Sequence, residues 1–148
     1  MQTFLPYADF QRTARVLDYK RLGKQRSETQ IIWMTLTGVY AAQGRKGWPH
    51  HPATRMWEGH ANTLLHYGIE ICAEWERRGY ADEGTTQWFI DRVDWNHPLT
   101  MPHWMGDDAF HRSHRSQLIQ KWRDYYLPYW PNEADNLGYY WPTPEAAP

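Results

Sequence analysis

A chain of 148 residues is long enough to close one hydrophobic core, and its single cysteine, Cys72, excludes an intrachain disulfide framework and a cysteine-built metal site. The net charge of −1 excludes a uniformly basic surface, but the charge is unevenly spread: residues 1–46 carry eight Lys/Arg against three Asp/Glu, and residues 47–148 carry eight against fourteen. No apolar run approaches 18 residues and no secretory leader pattern opens the chain, so a soluble, cytoplasmic protein without membrane contact is expected.

In chain order, Gln2-Thr3-Phe4-Leu5-Pro6 is a short lead-in expected to be extended. Pinned by Phe4 and Leu5, it would hold the α-amino group in place instead of fraying. Asp9 is placed to cap a short helix over 10–16, and Asp18 a long one over about 19–42. At 100° per residue, Leu22, Trp33, Leu36 and Tyr40 of the long helix share a stripe that can face a core. Lys24 and Glu28 stand at i, i+4 beside that stripe, with Arg21 two turns before Glu28 and Lys20 and Arg26 nearby. One reading is a solvated salt-bridge face worth a few tenths of a kcal/mol per pair. The other is a catalytic acid set in a phosphate-binding surface.

Gly44-Arg45-Lys46-Gly47-Trp48-Pro49 breaks the helical pattern. Pro52 opens the next helix, which runs to about residue 77 with Met56, Trp57, Leu64, Leu65, Ile69, Cys72 and Trp75 inward. Arg77-Arg78-Gly79 closes it. His51, directly before Pro52, reads as a helix-start hydrogen-bonding residue, and Cys72 as a small buried hydrophobe. A further helix is expected over Thr85–Val93, then a loop over 95–106. Asp107 caps a last helix with Phe110, Leu118, Ile119, Trp122 and Tyr126 inward. The tail, 128–148, holds five prolines and Tyr139-Tyr140-Trp141, and reads as a docked aromatic wrap. No β-alternation or internal repeat interrupts this pattern. The expected fold is all-α: one domain over 1–148, of three to five helices with an aromatic-rich C-terminal tail.

Two features of composition bear on chemistry. Ten Trp and ten Tyr against four Phe supply rings with a polar handle, suited to core bulk or to stacking on bases at about 1–3 kcal/mol per base. Arg outnumbers Lys twelve to four, which favours planar, bidentate phosphate contacts. Eight histidines raise a metal centre as an alternative, with His50-His51, His60 with His66, and His111 with His114 as clusters. No carboxylate or cysteine stands at a standard ligand spacing, and His-Glu-x-x-His is absent, so no metal ligand is assigned. Nucleophile, phosphate-loop and dinucleotide motifs are absent too. The remaining nucleophiles are Cys72, Lys20, Lys24 and the α-amine of Met1, which the large Gln2 side chain should leave in place after translation. An α-amine has a reference pKa of about 7.7–8.0, against about 10.4 for lysine, and can therefore form a Schiff base near neutral pH.

Leu17-Asp18-x-x-x-Leu22-x-x-x-x-x-Glu28 followed by His50-His51-Pro52 resembles the pyrimidine-dimer DNA glycosylase family of the endonuclease V type. Gly59-His60-x-x-x-Leu64-Leu65-x-Tyr67 with Glu74-x-x-x-Arg78-Gly79-Tyr80 is similar to the family's second long helix. His111-x-Ser113-His114-Arg115-Ser116-x-Leu118 with Trp122-x-x-Tyr125-Tyr126 is similar to its C-terminal helix and aromatic cluster. The resemblance implies a glycosylase and AP lyase, with no cofactor, that attacks the deoxyribose C1′ with its N-terminal amine. Met1 would be the nucleophile and Glu28 the group that stabilises the sugar cation and moves protons. Lys20, Arg21, Lys24, Arg26, Arg45, Lys46 and Arg115 would contact DNA, with Arg55 and His60 near the site. Trp122, Tyr125 and Tyr126 would support or stack against the distorted duplex. The implied partner is double-stranded DNA with a damaged or modified pyrimidine, bound by a nucleoid-associated monomer. Ser27 departs from the family pattern, in which arginine precedes the glutamate, and extra residues separate Met1 from Leu17. The competing classes are a non-catalytic nucleic-acid-binding module on the same scaffold and a His-dependent metalloenzyme.

Overall fold

The structure, a computed structural model, describes residues 1–144. Its helices are α1 (Phe10–Val16), α2 (Tyr19–Leu36), α3 (Val39–Ala42), α4 (Pro52–Arg55), α5 (Ala61–Arg77), α6 (Thr85–Arg92), α7 (Asp108–Lys121) and α8 (Arg123–Tyr126). The all-α reading holds, and the described residues contain no strand. The starts were legible because the caps are real. Asp9 accepts from the Arg12 amide, Asp18 from the Lys20 and Arg21 amides, and Asp107 from the Ala109 amide, each satisfying donors that a first helical turn leaves open. His51 Nδ1 accepts from the Ala53 amide at 3.0 Å, the helix-start role expected of it.

Among the described residues eight helices stand where three to five were expected, and the surplus consists of the single turns α3, α4 and α8. The helix read over 19–42 ends at Leu36 because Gly38 adopts φ +80°, a left-handed conformation that stops helical propagation. The helix read from Pro52 is likewise two pieces, with Gly59 at φ +82° between α4 and α5. Trp122 leaves helical backbone at φ −152°, ψ 80° between α7 and α8. That break carries its ring outward to 36% exposure, a correction to the inward position expected, while Tyr126 is fully buried.

α5 is the central element: α2, α1 and α6 all pack on it. Two helical glycines permit these approaches. A Cβ on Gly23 would meet the Trp75 ring at 2.9 Å, and one on Gly68 would collide with the Phe89 ring. Leu5, Leu17, Leu22, Ile32, Trp57, Leu64, Tyr67, Phe110 and Leu118 form the main core. Tyr139 and Trp141 of the tail pack against it, as the wrap reading anticipated; residues 145–148 of that tail lie outside the described residues.

Candidate active site

The lead-in is not a frayed end. Gln2, Thr3, Phe4 and Leu5 are buried, and Thr3 and Leu5 have no exposed surface. An extended segment inside a helical protein has no neighbouring strand, so its amides and carbonyls must find partners elsewhere. Here the partners are side chains. From α2, Gln25 Nε2 donates to the Gln2 carbonyl at 2.8 Å and Gln25 Oε1 accepts the Phe4 amide at 3.0 Å. The Tyr67 hydroxyl of α5 stands 2.8 Å from both the Phe4 carbonyl and Gln25 Oε1, and burial, with Glu28 adding to it, pushes that hydroxyl well above its ordinary pKa. Trp57 Nε1 donates to Thr3 Oγ1 at 3.0 Å.

α7 grips the next residue. His114 Nδ1 accepts the Leu5 amide at 2.9 Å, and His111 Nδ1 lies 2.7 Å from the Leu5 carbonyl. His111 Nε2 accepts the Gly106 amide, so its proton sits on Nδ1 and is donated to Leu5. His114 must carry its proton on Nε2, which has no partner among the described residues. Burial, reinforced by His111, drives the His114 pKa down to about 3; burial also lowers that of His111. Arg115 completes the grip by donating to the Pro6 carbonyl at 2.8 Å. The His111/His114 pair thus holds backbone, and the described residues contain no group of three or more His, Cys, Asp or Glu able to hold a metal.

This threading delivers the chain start to Glu28. The Gln2 amide lies 3.4 Å from Glu28 Oε2, which also accepts from Gln25 Nε2 at 3.1 Å. Glu28 Oε1 lies 3.6 Å from Lys24 Nζ. Glu28 is 9% exposed, whereas the Lys24 side chain is 72% exposed. The carboxylate and Met1 line one cleft of about 330 Å³ together with Lys20, Arg21 and Lys24 of α2, Lys121 of α7, Gln2 and Tyr139. Lys20, Lys24, Lys121 and Arg21, the last also paired with Asp18 at 3.1 Å, give the cleft a cationic lining that suits an anionic, phosphate-bearing ligand. Burial is the largest cause holding the Tyr139 hydroxyl up at about 12, with Arg21 opposing and Glu28 adding.

A model of the pyrimidine dimer DNA glycosylase family matches residues 1–89, which bring Met1, the basic stretch of α2 and Glu28. The chain belongs to that family. No curated protein and no solved structure matches the chain. The family match covers α1 to α5 and reaches into α6, whereas Lys121 and Tyr139, which close the cleft from the other side, lie beyond it.

Other residues named from the family resemblance sit apart from this cleft. Arg26 is two positions from Glu28 and so faces elsewhere; its guanidinium bonds the Asp82 carbonyl and Thr85 Oγ1 and lies over the Trp75 ring. Arg115 is engaged by Glu133 as well as Pro6. Tyr126 accepts from the Asp18 amide and donates to the Asp18 carboxylate, bracing the start of α2. Trp122 and Tyr125 form a partly exposed ring pair 5.2 Å apart. Arg55 pairs with Glu58 at 3.7 Å, His60 Nδ1 lies 3.2 Å from Thr100 Oγ1, Arg45 covers the Tyr40 ring, and Lys46 is exposed.

Sequence reasoning missed Gln25, Tyr67, Lys121 and Tyr139. Gln25 was findable, since it precedes Glu28 by three on the same helix face. Nothing local marks the other three. His51, which reads as a cap and as part of the His50-His51-Pro52 motif, also borders the site electrostatically. Burial and then the α-ammonium of Met1 lower its pKa, with Glu28 opposing, so its ring is coupled to both partners of the cleft.

Proposed function

We propose that this chain is a DNA glycosylase with AP-lyase activity, acting as a monomer on double-stranded DNA that carries a pyrimidine dimer or another altered pyrimidine. The α-amine of Met1 is the nucleophile and Glu28 handles its protons. The observation carrying this reading is the 3.4 Å contact between the Gln2 amide and Glu28, within a buried segment whose first residue lines the same cleft as the carboxylate. A generic solvated ion-pair face would require neither the burial of Glu28 nor that of residues 2–5.

A nucleotide in a duplex exposes C1′ only when unstacked, and a damaged pair costs less to open. Lys20, Arg21, Lys24 and Lys121 hold the flanking phosphates and give the affinity its salt dependence. The amine lone pair adds to C1′ as the C1′–N1 bond breaks and its electron pair leaves with the base. Glu28 accepts the proton lost by the new C–N centre. Ring opening gives an imine; removal of a C2′ proton then expels the 3′ phosphate oxygen by β-elimination, and water releases the amine.

Borohydride reduces such an imine to a stable amine. With a duplex carrying one cis-syn thymine dimer, the expected product is a covalent adduct whose peptide map places the DNA on Met1. Nα-acetylation should abolish it, and Glu28→Gln should reduce it at least ~10²-fold while duplex binding persists. An adduct on a lysine, or one that survives acetylation, would falsify the assignment of the amine.

A further inference from the structure

The Gln2 side chain is a buried polar group whose orientation is fixed but whose donors are unused. Its Oε1 accepts the Thr3 amide at 2.9 Å, which sets which end of the carboxamide is oxygen. Its Nε2, carrying two N–H donors, has no acceptor among the described residues although Gln2 is only 4% exposed. Glu28 does not serve it: Oε2 is occupied by the Gln2 backbone amide and Gln25 Nε2. Buried donors without partners are rare because each costs free energy in the unliganded protein, and Gln2 borders the very cleft that holds Met1 and Glu28.

We propose that the Gln2 carboxamide is the leaving-group donor of this cleft, its Nε2 hydrogen-bonding the O2 carbonyl of the scissile pyrimidine as the glycosidic bond breaks. This rests on the amine reading given above. The electron pair of the C1′–N1 bond departs onto N1 and is delocalised through C2 to O2, while the amine lone pair forms the new bond at C1′ and its proton passes to Glu28. A donor one residue from the attacking amine is close to C1′, and O2 is the base oxygen nearest that carbon. Saturation of C5–C6 in a dimer leaves the N1–C2–O2 unit intact, so the same donor serves dimerised and singly modified pyrimidines. Because Nε2 is closed off from water in the free protein, O2 reaches it only as the extruded nucleotide seats in the cleft, and a donor screened from water is the condition under which one hydrogen bond to developing charge contributes most.

The role separates two reactions of one protein, because an abasic site has no base to expel. The experiment measures borohydride-trapped adduct formation at a single cis-syn thymine dimer and at a defined abasic site, for the wild type, Gln2→Glu and Gln2→Met. Both substitutions keep a large second residue and hence Met1; one retains the acceptor for Thr3, the other avoids a second carboxylate. The expected result is a fall of roughly 10²–10³-fold in the dimer-to-abasic rate ratio in both variants. Equal losses on both substrates, or an unchanged ratio, overturn the proposal, and thermal melts identify a variant that has merely unfolded. A wild-type chain that forms no adduct even at the abasic site overturns the amine reading itself, a distinguishable failure.

Discussion

Acidification should loosen the chain start before it affects the rest of the fold. The fully buried His114 ring accepts the Leu5 amide through Nδ1, and a proton there would set donor against donor. Burial holds its pKa at about 3, against an ordinary 6.5. The unfolded chain therefore binds a proton below pH 6.5 that the folded chain refuses, so stability is complete above that value and falls as pH drops toward 3. One such proton costs about 1.4 kcal/mol per pH unit, or roughly 2 kcal/mol by pH 5. His111 and His51, both lowered by burial first, act in the same direction. The carboxylates do not confuse this window. Burial pushes Glu74 up, but hydrogen bonds from Arg77 and Arg78 outweigh it; Asp82 is likewise held low by Thr86 and Arg26 against burial. Their contributions are lost only below about pH 4.5, the range of ordinary carboxylates. Urea melts followed by tryptophan fluorescence at pH 7, 6 and 5 measure the effect. His114→Asn offers Leu5 an amide oxygen that cannot titrate, so its stability should depend on pH less steeply, by about one proton. A wild-type stability flat from pH 7 to 5, or an unaltered slope in His114→Asn, would refute the reasoning.

Lys24→Ala should change stability by no more than about 0.5 kcal/mol, because its ammonium is largely solvated at 3.6 Å from Glu28. Its effect should appear in duplex binding, where the slope of log affinity against log salt falls by about one; thermal melts and fluorescence titrations across a salt series separate the two. His51→Ala should cost about 1 kcal/mol by removing the acceptor for the Ala53 amide, and His51→Asn only a few tenths, since asparagine also caps. Paired urea melts at pH 7.5 read that difference, and equal losses would show that the ring acts through Trp141, which it meets edge-on, and not through the cap.

Helix starts were legible because a cap is a local event: Asp9, Asp18, Asp107 and His51 each act within three residues of themselves. Helix ends were less so. Gly38 and Gly59 do not read as stops, because an isolated glycine costs a helix only about 1 kcal/mol and the apolar stripe continues beyond each, yet both adopt positive φ. Trp122 continued the stripe of α7 as well, but its backbone turns out of the helix first. On the site, the i, i+4 spacing correctly brought Lys24 beside Glu28, and Arg21 lines the same cleft. Arg26 belonged to a different face, as its two-residue offset from Glu28 requires. Lys121 and Tyr139 enter from the far end of the chain, and only tertiary packing reveals them.

Register in residues 2–6, which sets how the chain start stands to Glu28, is fixed by side chains and not by the length of residues 7–16. Successive backbone groups meet different partners: Gln25 at Gln2 and Phe4, Tyr67 at Phe4, His114 and His111 at Leu5, and Arg115 at Pro6. Sliding the segment by one residue would break these matches together, at about 1–3 kcal/mol for each buried group left unpaired. It would also turn Phe4 and Leu5 out of the positions they fill in the core. After Pro6, Thr13 Oγ1 donates to the Tyr7 carbonyl and α1 packs on α5 before Asp18 begins α2. Buried polar residues with no amphipathic period are what such a held thread needs, and that is why no helical or strand periodicity places Gln2, Thr3, Gln25, His111 and His114 in the interior they occupy.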